Sequence, residues 1–184
     1  MVSLFMSCSP PQRKIIFIFA ALTALMITII LNVTGKPLIT PEAPAGIVSF
    51  ELAGTISQAQ IILDSWDGQA KLFAAFSLGF DYLYMVAYAV AIGLGCVLAS
   101  LVIGERGWPF GGLGAPLAVC LWVAAGFDAL ENLALSVVLL GGATAEAWPA
   151  LARICALVKF SLILIGLVYL IYGLIGWLAG RQTR

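Results

Sequence analysis

The chain has 184 residues, of which 62% are hydrophobic and 10% are charged, and its mean hydropathy is +1.10. Soluble domains have about 45–50% apolar and about 25% charged residues, so this composition excludes an ordinary soluble protein and indicates an integral membrane protein. The net charge is zero, which gives no support for a nucleic-acid partner. There is no histidine, which excludes Ser-His-Asp catalysis and bis-histidine haem ligation. We expect no cofactor and no metal ion.

Four apolar stretches are long enough to cross a bilayer core, which requires about 20 helical residues. They cover about 15–33, 72–103, 114–140 and 149–179. Short links join the last three stretches, and links of this length make consecutive helices antiparallel neighbours. We therefore predict a single all-α membrane domain over residues 1–184, built as a four-transmembrane-helix antiparallel bundle.

The link between the first two stretches is longer and contains a helical pattern. Apolar residues recur at helical spacing and polar residues line the opposite face: Val48, Leu52, Ile56, Ala59, Leu63 and Trp66 against Glu51, Thr55 and Gln58. This pattern predicts one external amphipathic helix over about 47–66. Two interpretations remain open: an interfacial helix with its apolar side in the lipid, or a lid over the bundle with Glu51 reaching inward.

Basic residues near the ends of the stretches predict the orientation. Arg13, Lys14, Arg106, Arg181 and Arg184 fall on one side, and Lys36, Lys71 and Arg153 on the other. The excess of positive charge on cytoplasmic loops then predicts that both termini face the cytoplasm. We also expect the protein to lie in a bacterial inner membrane. Its expected partners are membrane lipids, a small-molecule or ion ligand, and further copies of itself or a larger membrane complex.

Four charged residues lie inside the apolar stretches, where an ionised side chain costs from about 3 to more than 10 kcal/mol. They are Asp81, Asp128, Glu131 and Lys159. Near the predicted outer boundary, Asp81 lies ten residues after Lys71, Glu131 ten before Gly141 and Lys159 ten after Pro149. Ten residues are roughly 15 Å along a helix. Antiparallel spans therefore place these charges in one layer near the middle of the membrane.

This layer is the candidate site, and its acids outnumber its lysine. The predicted binding residues are Asp81, Tyr84, Tyr88, Asp128, Glu131, Asn132 and Lys159. Close carboxylates of low solvent exposure cannot all stay ionised, so at least one is expected to hold a proton. The preferred hypothesis is a pocket that binds a small molecule, lipid or ion from the outer side.

Three alternatives remain open for the same residues. Lys159 could be a structural clamp that ties three spans together. The chain could be a non-catalytic accessory subunit of a larger membrane complex. It could also be a membrane enzyme that uses Asp128 or Glu131 as a general acid or base.

Two short motifs carry a resemblance to a known group of proteins. They are D-Y-L-Y-x-x-A-Y, from Asp81 to Tyr88, and D-A-L-E-N, from Asp128 to Asn132. With F-E-L-A-G-T before them and K-F in the fourth stretch, the chain resembles small bacterial four-span membrane proteins of unassigned function, over roughly residues 51–169. The resemblance implies a four-span fold and carries no activity and no functional residue.

Overall fold

A computed structural model describes residues 9–141 and 145–180, and within them the regular structure is helical, without strands. Arg181 and Arg184, used above to predict the orientation, lie outside the described residues. A short 3-10 turn occupies Lys36–Leu38. The α-helices are α1 (Pro10–Thr34), α2 (Ile47–Glu51), α3 (Ile56–Ser65), α4 (Gly68–Glu105), α5 (Gly114–Leu139) and α6 (Ala147–Ala179).

Helices α1, α4, α5 and α6 are long and apolar enough to cross a membrane. The shortest of them, α1, has 25 residues, about 37 Å at a rise of 1.5 Å per residue. The prediction of an all-α, four-span bundle is confirmed, and the chain is an integral membrane protein. The Asp67 side chain accepts a hydrogen bond from the Ala70 amide at 2.7 Å and so caps the start of α4.

The chain forms two compact units, and the first contains Met1–Ala24, Val86–Ala125 and Phe160–Arg184. Small residues let its helices approach closely, since a side chain at Gly173 of α6 would collide with Ala99 of α4. A hydrogen bond also connects α6 to the link that follows α4: the Tyr169 hydroxyl donates to the Phe110 carbonyl at 2.9 Å.

The second unit contains Leu25–Met85 and Gly126–Lys159, and its apolar core joins the long link to the spans. The Trp66 indole donates a hydrogen bond to the Leu38 carbonyl at 2.9 Å, and its ring meets the edge of Phe50 at a centroid distance of 5.4 Å. Link and span residues share this core: Leu38, Ala43, Phe50, Ala59, Ile62, Leu63, Trp66, Ala70, Ala74, Leu78, Ala134, Leu135, Val138 and Ala152.

The prediction of one continuous helix over 47–66 is wrong. The structure divides this stretch into α2 and α3, because Gly54 adopts a φ of +73°, a left-handed conformation that favours glycine. Helix α3 then starts afresh, with the Thr55 hydroxyl accepting a hydrogen bond from the Gln58 amide at 3.2 Å. The break turns Leu52 outward and Glu51 inward, which reverses the predicted faces at these two residues.

Residues 47–66 are hereafter called the lid. Their apolar side packs on the spans of the second unit. Phe50, Ile62 and Trp66 of the lid are each at most 2% exposed. Their contacts include Ala74 of α4 and Leu135 of α5. Of the two interpretations left open by the sequence, this packing favours the lid.

Replacing Gly54 tests the break in the lid. Gly54→Ala should lower the free energy of unfolding by about 1–2 kcal/mol, because alanine is strained in the left-handed conformation. The matched control is Gly68→Ala at the start of α4, where an added Cβ has no neighbour within 4 Å. Reversible unfolding in mixed micelles, followed by circular dichroism, measures both. Equal stability of the two variants would contradict this account of the lid.

Candidate functional site

The site is centred on the ammonium of Lys159, which is 5% exposed. Its Nζ donates hydrogen bonds to Asp128 Oδ1 at 2.7 Å and to Glu131 Oε1 at 2.9 Å. Asp128 and Glu131 lie three residues apart on α5, a spacing that puts both carboxylates on one helix face. The predicted convergence of these three charges is observed.

A third carboxylate comes from the lid. Glu51 Oε2 lies 3.6 Å from Lys159 Nζ, and Glu51 is 8% exposed. Sequence reasoning left Glu51 out of the predicted site residues, although one of its two interpretations had Glu51 reaching inward. The break at Gly54 was the signal that would have corrected it. The acid–lysine site is defined hereafter as Glu51, Asp128, Glu131 and Lys159.

The other predicted site residues are Asp81, Tyr84, Tyr88 and Asn132, and none of them is among the four residues of the acid–lysine site. The Asn132 side-chain amide donates a hydrogen bond to Asp81 Oδ2 at 2.7 Å, and the Asp81 carboxyl also neighbours the carboxyl of Asp128. The Thr28 hydroxyl donates to the Tyr84 hydroxyl at 3.2 Å, which links α1 to α4. Tyr88 is buried in α4 and belongs to the first compact unit.

The acid–lysine site has more acceptors than donors. Within the part of the chain that the structure describes, Glu51 Oε2 and Glu131 Oε2 are buried and accept no hydrogen bond. The two carboxyl groups are hydrogen-bond neighbours. Leaving a buried polar atom without a partner costs about 1–3 kcal/mol, and more if the group is charged. At least one proton or donor group is therefore needed to satisfy these oxygens.

Electrostatics at Glu51 also favour a bound proton. Burial is the largest effect and raises the pKa of the Glu51 carboxyl above its ordinary value. The Lys159 ammonium acts in the opposite direction, and the Asp128 carboxylate raises the pKa further. Glu51 therefore binds a proton more tightly in the folded chain than in the unfolded chain.

The arrangement suits an ammonium rather than a metal ion. Among residues 9–141 and 145–180, no group of three or more histidine, cysteine, aspartate or glutamate side chains is arranged to hold a metal. The point at which the three carboxylates converge is occupied by Lys159 Nζ.

Fold and site together define the class of protein: an all-α integral membrane protein with a buried acid–lysine site. No family model, curated protein or solved structure matches the chain. The resemblance to small bacterial four-span proteins stays a prediction.

Removing the ammonium tests its central place in the site. Lys159→Met should lower the free energy of unfolding by about 3–5 kcal/mol, because buried carboxylates lose their partner. The double variant Lys159→Met with Glu131→Gln should regain much of that loss, since it removes one of the unpaired charges. Unfolding in mixed micelles measures both.

The matched control is Lys71→Met, the same substitution at an exposed lysine of α4. If Lys159→Met and Lys71→Met unfold alike, the Lys159 ammonium does not hold the site together.

Proposed function

We propose that this membrane protein binds an ion at the acid–lysine site, and that the ion is a proton. The observation that carries the proposal is the pair of buried carboxylate oxygens on Glu51 and Glu131 that accept no hydrogen bond among the described residues. A proton supplies the missing donor and at the same time removes one negative charge from the site. The raised pKa of Glu51 supports the same conclusion.

A proton fits this site better than a small molecule or a lipid does. Asp128, Glu131 and Lys159 are between 0% and 5% exposed, so a larger ligand would have to displace packed side chains. Intramembrane acids with nearby partners are characteristic of proton relays and coupled transport sites. The chain therefore has the chemistry of a membrane protein whose state depends on proton uptake and release.

The competing explanation is a structural clamp, and titration separates the two. Infrared difference spectra between about pH 5 and about pH 9 should show the carbonyl stretch of a protonated acid disappearing as the pH rises, because a buried acid titrates above its ordinary range. Glu131→Gln should remove or shift this band. Glu42→Gln, at an exposed acid of the link, is the matched control and should leave the band unchanged.

If no carboxyl band titrates in this range, and both Asp128→Asn and Glu131→Gln fold and support the host normally, the proposal fails. The site is then a clamp.

We further propose that the protein lies in a bacterial inner membrane with both termini in the cytoplasm, so that the lid faces outward. The support is the distribution of basic residues, with Lys14 and Arg106 on the side assigned to the cytoplasm. In this orientation the proton is exchanged with the outer compartment.

Cysteine labelling tests this orientation. In a chain without native cysteines, a membrane-impermeant maleimide added to intact cells should modify a cysteine at Ser57 and spare one at Glu105. Both positions are exposed in the structure, so burial does not explain a difference between them. Modification at Glu105 and protection at Ser57 would reverse the orientation.

A further inference from the structure

We infer that Glu51 and Glu131 share the bound proton, and that this proton keeps the lid closed over the acid–lysine site. The inference rests on the proposed proton-binding function. It adds where the proton lies and what the proton controls.

The hydrogen-bond pattern of the site indicates that Glu51 and Glu131 are the carboxyls that share the proton. Lys159 Nζ donates to Asp128 Oδ1 and Glu131 Oε1 at 2.7 and 2.9 Å, whereas Glu51 Oε2 is 3.6 Å away. The Oε2 atoms of Glu51 and Glu131 are the two that accept no hydrogen bond within the described residues. One proton shared by the two carboxyls is donated by one and accepted by the other, which supplies a donor where the site lacks one.

Loss of this proton changes the balance of charge around Glu51. From α5, the carboxylates of Asp128 and Glu131 face Glu51, and from α6 the Lys159 ammonium does so. On α4, Asp81 is bound to Asn132 of α5 and adds a further acid near the same layer. Without the proton, two adjacent buried carboxylates repel each other and Lys159 is left to offset three acids.

Arg153 of α6 contributes a further charge at the edge of the lid. A Cβ at Gly54 would lie 2.7 Å from Arg153 Cδ, so the arginine side chain covers the turn between α2 and α3. The Glu146 carboxylate accepts a hydrogen bond from the Ile56 amide at 2.9 Å and holds the start of α3. Both contacts fasten α3 and its turn rather than α2.

Helix α2 is therefore the part of the lid that can respond. It has five residues and is flanked by Gly46 and Gly54, whose φ angles are +59° and +73°. Asp128, Glu131 and Lys159 are fixed in long spanning helices, whereas Glu51 ends this short one. Repulsion should therefore expel Glu51, and α2 with it, against the burial of Phe50 in the same helix.

The expected direction with pH follows from the raised affinity of Glu51 for its proton. The closed state binds the proton more tightly than an open state in which Glu51 meets water. Closure is therefore fully stabilised below the ordinary pKa of glutamate, and this stabilisation is lost as the pH rises through the raised value. High pH opens the lid.

Cys155 provides a native reporter of opening. It lies on α6 one turn before Lys159 and is 1% exposed. In full-length chains that retain a single cysteine, the rate of reaction with a small water-soluble thiol reagent is measured for Cys155 and, as matched control, for Cys96. Cys96 is 0% exposed and belongs to the first compact unit. Dividing the two rates removes the part of the rise in thiol reactivity with pH that both cysteines share.

The Cys155 to Cys96 rate ratio should increase by about tenfold or more between about pH 6 and about pH 9. In Glu51→Gln it should stay nearly constant, because the amide keeps a donor at the place of the proton. Glu131→Gln should also give a constant ratio, so the test does not depend on one variant folding. A ratio that is flat in the unsubstituted single-cysteine chain, or that rises equally in both variants, overturns the inference.

Infrared titration of the same proteins distinguishes this failure from failure of the proposed function. If a carboxyl band titrates but is unchanged in Glu51→Gln, the site binds a proton elsewhere and only the inference is wrong. If no band titrates, the proposed proton binding is itself wrong.

Discussion

The burial of one ammonium among three carboxylates is the constraint on which the second compact unit depends. Lys159 would be costly in this position without partners, so α5 must present Asp128 and Glu131 on the face that meets it. Such a group contributes less to net stability than to specificity, because desolvation offsets much of the attraction between the charges. Any rotation of α5 or α6 that separates the charges leaves them unpaired, and this fixes the packing of the two helices.

The lid is held by apolar burial as well as by the charge of Glu51. Comparing the free energies of the two shows which is larger. Ile62 and Leu63 of α3 are almost fully buried, whereas α2 fully buries one large apolar side chain, Phe50. Each such side chain contributes roughly 1.5–3 kcal/mol. A change of one unit in the pKa of Glu51 corresponds to about 1.4 kcal/mol. Apolar burial therefore keeps α3 in place at any pH, and a single proton can shift only the short segment that carries Glu51.

Much of this architecture could be predicted from sequence. Long apolar runs, and the number of residues between a span end and a charge, can be read locally along the chain. The spans and the meeting of Asp128, Glu131 and Lys159 follow from such counting. The lid could not be predicted in the same way. Its apolar residues keep helical spacing across Gly54, but the left-handed backbone there ends one helix before the next begins. The sequence therefore left open whether Glu51 faces outward or inward.

The neighbouring pair of Asp81 and Asn132 is a useful comparison for the excess of acids in the acid–lysine site. Asp81 Oδ2 accepts a hydrogen bond from the amide of Asn132, so this oxygen has a donor without a bound proton. A glutamine at position 51 or 131 would have balanced the acid–lysine site in the same way. The chain instead has glutamate at both, and each presents a buried oxygen that accepts no hydrogen bond within the described residues. A purely structural clamp gains nothing from that choice, whereas a site that takes up and releases a proton requires it.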